Sequence, residues 1–111
     1  MIIGVGIDVT NIARLQQKKS PEFIKKLLTD HEQDKYRAII GDFNQNVFLA
    51  VRWAFKEAIF KALKTKDEFT QLEIRKVNGA YECVLNEKIK LHLSISYEGD
   101  NLIALVVAER V

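Results

Sequence analysis

Asn44-Gln-Asn-Val-Phe-Leu-Ala-Val-Arg-Trp-Ala-Phe-Lys-Glu-Ala-Ile-Phe-Lys-Ala-Leu-Lys64 is the longest helical pattern in the chain. At about 100° per residue, Phe48, Val51, Phe55, Ala58, Ile59 and Ala62 share one face, which predicts a helix packed on a core. The opposite side carries Leu49, Trp53 and Phe60 around Glu57, where a surface helix normally shows charge. Two readings stay open. Either the chain wraps its own helix on both sides, or the second side meets a subunit or a ligand. Two large aromatics flanking a carboxylate tilt the expectation modestly toward an interface or cleft.

Outward from this helix, the pattern divides. On its N-terminal side, Ile2 to Val9 reads as a β-branched strand. Gly4 and Gly6 on one of its faces allow another element close approach. Asp8 is expected to end it, with a short helical segment from Asn11 to Lys18. Ser20-Pro21 starts a helix with serine as cap and proline at the first position. Its apolar stripe is Phe23, Ile24, Leu27 and Leu28. Thr29-Asp-His-Glu32 is a capping box, predicting a further helix to Ile40 with Gly41 as its stop.

On the C-terminal side the period changes to two. Leu72 to Val77 is a strand, Asn78-Gly79 a hairpin turn, and Tyr81 to Leu85 the return. Ile89, Leu91, Leu93 and Ile95 alternate with Lys88, Lys90, His92 and Ser94, giving a strand with one wet face. After the turn Glu98-Gly99-Asp100, Leu102 to Val107 is apolar on both sides, which suits a central or interface strand. One strand, several helices and four strands predict an α+β fold with an antiparallel sheet, over residues 1–111 as one domain.

Composition sets bounds on the chemistry. The 111 residues are 48% hydrophobic and 29% charged, as in ordinary globular chains, and the net charge is only +2. Any electrostatic recognition must therefore be local. Cys83 is the only cysteine, so an internal disulfide and a cysteine zinc cage are both excluded. His31 and His92 show no metal-ligand spacing. The N-terminus lacks the basic flank and length of a signal peptide, and no apolar run reaches the ~18 residues of a membrane helix. The expectation is a cytoplasmic protein acting without membrane or nucleic acid.

Local charge exists. From 52 to 66 the chain holds Arg52, Lys56, Lys61, Lys64 and Lys66 against Glu57 alone. Such a cluster can converge on a polyanion. It can equally be a solvated face, with Glu57 and Lys61 paired at i,i+4. Asp8, at a strand end, is a turn or cap residue in most proteins, and here is a candidate cap for the segment after Asn11. Asp8 and Glu57 can share a hard divalent cation only if folding joins them.

Taken together, two stretches resemble one family. Gly4-Val-Gly-Ile-Asp8, continuing to Ile12-Ala-Arg14, is similar to the opening of the bacterial holo-acyl-carrier-protein synthases. Arg52-Trp-Ala-Phe-Lys56-Glu57-Ala-Ile-Phe-Lys61-Ala-Leu resembles the family's R-F-A-A-K-E-A-x-x-K-A-L helix. Leu28-Thr-Asp-His-Glu32 resembles its L-T-x-x-E segment, and Ser94-Ile-Ser96 its S-I-S-H segment. The resemblance covers essentially the whole chain. It implies a 4′-phosphopantetheinyl transferase fold, an antiparallel sheet packed with one long and several short helices, assembled as a homotrimer with active sites between subunits. It implies Mg²⁺-dependent transfer of 4′-phosphopantetheine from coenzyme A to a serine of apo-acyl carrier protein, releasing adenosine 3′,5′-bisphosphate.

By the same resemblance, Asp8 and Glu57 bind the metal, Arg14 docks the acidic carrier, and Arg52, Lys56 and Lys61 surround the coenzyme phosphates. Glu57 is the candidate base, and Lys56 and Lys61 are candidate catalytic cations. Lys64, Thr65, Ser96 and Tyr97 match further cofactor-binding positions. Four of the family's residues are changed. Tyr97 replaces a histidine, so it cannot be a cation near neutral pH. Lys64 and Lys66 replace the glycines of a G-T-G loop, and are expected to carry charge to the 3′-phosphate. Phe60 replaces a serine. The competing reading is a non-enzymatic oligomer binding nucleotide or RNA through the Arg52–Lys66 patch, with Trp53, Phe60 and Tyr97 as stacking platforms.

Overall fold

A computed structural model describes all 111 residues. Strand β1 (Ile2–Asn11) leads through a 3₁₀ turn at Ile12–Arg14 into helices α1 (Leu15–Lys18), α2 (Pro21–Leu27), α3 (Asp30–Arg37) and α4 (Asp42–Leu63). A second 3₁₀ turn at Phe69–Gln71 precedes β2 (Arg75–Val77), β3 (Ala80–Glu82), β4 (Ile89–Glu98) and β5 (Asn101–Arg110). β1, β5 and β4 form an antiparallel sheet in that order, and β2 and β3 form a separate hairpin. The α+β class and the central place of β5 are as expected. No helix is long and apolar enough to cross a membrane.

Local chemistry explains the element ends. Ser20 Oγ accepts the Phe23 N–H at 3.1 Å, capping α2. At α3, Thr29 Oγ1 accepts the Glu32 N–H at 3.1 Å and Glu32 Oε1 accepts the Thr29 N–H at 2.9 Å, closing the capping box. Asn78 and Gly79, at φ 51° and 82°, form the hairpin turn that Asn-Gly favours.

Several boundaries differ from expectation, among them the return strand β3, which ends at Glu82 rather than Leu85. Asp8 does not end β1, because Thr10 and Asn11 go on pairing with Leu102 and Asn101. Asn11, not Asp8, caps the following turn by accepting the Arg14 N–H. α3 stops at Arg37, three residues early, and Gly41 at φ 95° turns the chain into α4. Leu72 and Ile74 precede β2 rather than belong to it; burial accounts for their apolar character.

α4 lies across the inner face of the sheet, and the contact is between backbones. A Cβ on Gly4 would stand 1.7 Å from the Ala62 carbonyl oxygen, and one on Gly6 1.8 Å from that of Ala58. Small residues line both sides: Ala54, Ala58 and Ala62 on the helix, Ala104 and Ala108 on β5, all essentially inaccessible. The other side of α4 is covered by its own chain. Trp53 lies between Phe23 (5.8 Å between ring centres) and Phe69 (5.3 Å), and Phe60 meets Phe69 at 5.5 Å. So Trp53 and Phe60 pack within their own chain, the first of the two readings, while Phe60 also borders a cleft.

What remains uncovered is the outer face of the sheet. Val5, Ile7 and Val9 on β1 are 58%, 55% and 65% exposed, with Ile103 and Leu105 of β5 beside them at 39% each. The glycine–alanine contact gives a direct test of the fold. Gly6→Ala should destabilise the protein by about 3 kcal/mol or more, because the added methyl meets backbone that cannot turn aside. Urea unfolding of the variant beside wild type measures this, and a loss below about 1 kcal/mol would contradict the close packing.

Candidate active site between β1 and α4

The side chains that follow Gly4 and Gly6 on the inner face of β1 are Asp8 and Thr10. Two strand residues advance about 6.6 Å and four helical residues about 6 Å, so strand and helix stay in step. Gly4 meets Ala62 and Gly6 meets Ala58. Asp8 is thereby set one helical turn further along, at the level of Ala54 to Glu57. Lys61, four residues after Glu57 on the same stripe, donates to the Ile7 carbonyl at 2.9 Å and lies 3.4 Å from Asp8 Oδ1. Thr10 Oγ1 donates to Asp8 Oδ2 at 2.7 Å. The Asp8 carboxylate is held on both oxygens, with its side chain 14% exposed.

Beside this stripe opens a cleft of about 450 Å³. Glu57 and Lys61 form one wall, and Lys64, Thr65, Lys66 and Asp67 the rim, with Phe60 and Phe69 as apolar floor. Three ammonium groups around an apolar floor suit a ligand with an anionic end and a flat or aliphatic body. Lys64 ends α4 in the left-handed region at φ 56°, a conformation that costs a non-glycine residue about 1 kcal/mol. The turn is closed by the Thr65 N–H donating to Phe60 O at 3.1 Å, which splays Lys64 and Lys66 outward on the rim.

Lys56 requires a correction. Expected among the catalytic and phosphate-binding cations, it is wholly inaccessible. Its Nζ donates to Glu32 Oε1 at 2.6 Å and to Leu27 O at 2.7 Å. Burial lowers the pKa of this ammonium, and the adjoining Glu32 carboxylate opposes that shift. One residue before Glu57 on a helix points about 100° away, here into the core. The positive cluster read from the sequence is therefore divided between interior and surface.

Arg52 is buried as well, on the side of α4 away from the cleft. Its guanidinium lies 3.8 Å from the Phe48 ring centre and 5.7 Å from that of Tyr81, and its Nε has no partner. Burial holds its pKa below the ordinary value. Tyr97, half exposed near the end of β4, has its phenol pKa raised by burial and by the nearby Tyr81. Ser96 is exposed opposite Ile103 on the outer face. Arg52, Ser96 and Tyr97 are thus not brought to the Glu57–Lys61 cleft within one chain. Arg14 stands on the surface by a small cavity of about 70 Å³ with Val9, Lys18 and Trp53, where Lys18 lies 4.9 Å from the Trp53 ring centre.

Sequence reading missed Thr10, Asp67 and Phe69. It assigned Glu32 to a helix cap only. A capping carboxylate leaves its second oxygen free, and that oxygen accepts the Ile74 N–H at 2.8 Å. No local pattern announces a partner 42 residues away. No group of three or more His, Cys, Asp or Glu side chains is placed to enclose a metal. Asp8 and Glu57 offer only carboxylate oxygens, a donor chemistry that would fit a hard cation completed by phosphate and water and would not fit zinc.

Residues 4–107 match the 4′-phosphopantetheinyl transferase superfamily. The chain is 75% identical over 111 residues to the holo-[acyl-carrier-protein] synthase of Mycoplasmoides gallisepticum, covering all of both chains. It is 42% identical to that of Mycoplasma pneumoniae, over 99% of this chain and 96% of the other. Among solved structures it superposes on the Bacillus anthracis holo-(acyl-carrier-protein) synthase in complex with CoA (3′,5′-ADP), with a TM-score of 0.90 and 30% identity, over 100% and 99% of the chains.

The two lysines of α4 should respond differently to truncation. Lys56→Met leaves the Glu32 charge buried without its partner and should cost about 3–5 kcal/mol. Lys61→Met removes a half-exposed contact and should cost less than about 1 kcal/mol. Chemical denaturation separates them, and equal losses would place Lys56 at the surface.

Proposed function

The chain belongs to the holo-[acyl-carrier-protein] synthase family of 4′-phosphopantetheinyl transferases, and from that membership and the cleft we propose how its residues carry the reaction. The protein transfers 4′-phosphopantetheine from coenzyme A to a serine of apo-acyl carrier protein. These co-substrates put the activity in the cytoplasm, and residues 1–111 act as one transferase domain. The observation that carries the residue assignment is the Asp8 carboxylate, pinned by Thr10 and by Lys61, which follows Glu57 by four residues on α4 and shares its cleft.

The serine oxygen attacks the phosphorus that carries pantetheine. The bond from that phosphorus to the bridging oxygen breaks, and adenosine 3′,5′-bisphosphate leaves. Such transfer depends on alignment and charge neutralisation more than on covalent help from the protein. Asp8 and Glu57 would hold Mg²⁺, which when bound would supply positive charge at the diphosphate. Glu57 takes the proton of the serine hydroxyl at its carboxylate. Lys61 bonds the phosphate oxygens and stabilises the charge that builds there. Lys64 and Lys66, with Thr65 between them, face the 3′-phosphate from the rim. Lys56 has no part in this contact set.

The remaining residues call for an assembly. Five exposed aliphatic side chains on the outer sheet face support a homotrimer. In it, Arg52, Ser96 and Tyr97 of one subunit complete the site of the next, since they stand away from the cleft of their own. Arg14, exposed and next to Lys18, docks the acidic carrier.

Incubated with Mg²⁺, coenzyme A and apo-acyl carrier protein, the wild type should add the mass of one phosphopantetheine to the carrier. Asp8→Ala and Glu57→Ala should each abolish that gain while remaining folded. Arg14→Glu should raise the KM for carrier about tenfold or more with little change in kcat. Full turnover by either alanine variant would remove it from the metal site, and an unaltered KM would remove Arg14 from docking. Ile7→Glu, placed in the outer face, should convert trimer to monomer in sedimentation velocity and lose activity together with assembly. A monomeric wild type would overturn the shared site.

A further inference from the structure

The most heavily bonded charged group in the molecule lies outside the contact set just described. Glu32 and Lys56 are 2% and 0% exposed and 2.6 Å apart. Glu32 Oε1 accepts from Lys56 Nζ and from the Thr29 N–H, while Oε2 accepts from the Ile74 N–H at 2.8 Å. Lys56 Nζ also donates to Leu27 O, at the end of α2. One ion pair therefore ties α2, α3, α4 and the chain entering β2. A buried ion pair is a poor device for stability alone, because apolar side chains of like volume commonly do as well or better. What it supplies is direction: each bond has one geometry, whereas apolar contacts can slide.

That direction bears on the cleft from both sides. Lys56 precedes Glu57 on α4, so anchoring its ammonium sets the rotation of the helix about its axis and with it the bearing of Glu57 toward Asp8. Ile74 ends the stretch after α4 that carries Lys64, Lys66 and Phe69, so its bond to Glu32 fixes where that rim returns to the core. We propose that Glu32 and Lys56 are a positioning pair for phosphopantetheine transfer, holding Glu57 and the lysine rim in mutual register without touching either substrate. The inference rests on the proposed roles of Glu57 and the lysine rim in the transferase reaction. Misplacement of a reacting group by about 1 Å can cost on the order of a hundredfold in rate.

The test compares Glu32→Gln, Lys56→Met and the double variant Glu32→Gln/Lys56→Met, which leaves no unpaired charge. Transfer to apo-carrier is followed with Mg²⁺ and coenzyme A, at a temperature where circular dichroism and sedimentation match wild type. Ser20→Ala, which loses the cap at the opposite end of α2 from Leu27, controls for lowered stability and should keep wild-type kcat. Each pair variant should lose kcat tenfold or more, with the KM for carrier within twofold of wild type. If neither single variant folds, the double decides. If the double also fails, Glu32→Asp, which keeps the charge and withdraws the carboxylate by one methylene, should show the same split. A folded double variant (or Glu32→Asp in its place) with wild-type kcat would reduce the pair to a structural role and overturn the proposal. Full activity in Glu32→Gln beside an inactive Lys56→Met would overturn it too, since Lys56 would then act on substrate itself. A wild type that transfers nothing would reject the transferase reading, and the positioning role with it.

Discussion

The backbone-to-backbone contact of Gly4 and Gly6 with Ala62 and Ala58 is the constraint on which the rest depends. With no side chain between strand and helix, β1 and α4 run in step, two residues to one turn. The next inward residue of β1 is an aspartate, and the next stripe of α4 carries Glu57 and Lys61. Distant in sequence, Asp8 and Lys61 meet because glycine and alanine let the elements approach more closely than larger residues would. The same contact brings Ala54, Ala58 and Ala62 against the sheet with no large side chain between. The aromatic residues are then free to pack on its other side, with Phe23 and Phe69.

Electrostatics follows from this frame rather than from composition. Five basic residues between 52 and 66 meet three different fates. Lys56 is sealed against Glu32, Arg52 lies under Phe48 and Tyr81, and Lys61, Lys64 and Lys66 face the cleft. Solvation makes the difference. A charge on the exposed stripe keeps its water, whereas one turned inward requires a fixed partner, and Glu32 is positioned to be that partner. The lone cysteine obeys the same rule: burial raises the Cys83 thiol pKa to about 11, which keeps it uncharged and chemically quiet in the interior.

A fold can be complete while its site is not. The chain builds a closed core, yet leaves five aliphatic residues on one sheet face in water and holds Arg52 and Tyr97 away from the cleft. Both features are what the proposed sharing of sites between subunits would require. Lys64 adds a local conformational cost. A lysine occupies a left-handed turn where glycine would be relaxed, and it places a cation on the rim of the cleft.

Local grammar made much of this legible in advance. The extent and core face of α4, the serine cap of α2, the Thr29–Glu32 box, the Asn78-Gly79 turn and the central strand β5 all rest on rules that act within a few residues, so the sequence alone determined them. The motif around Lys56 and Glu57 likewise identified the family before any coordinates. Other features rest on pairing across long separations. β1 continued past Asp8 because Thr10 and Asn11 found partners at Leu102 and Asn101. Lys56 turned inward because Glu32, on another helix, satisfies its charge. Trp53 and Phe60 became core because α2 and the turn at Phe69 closed over them. Periodicity shows which residues share a face. It does not show what that face will meet, because burial is decided by the partner surface, and only the tertiary structure supplies one.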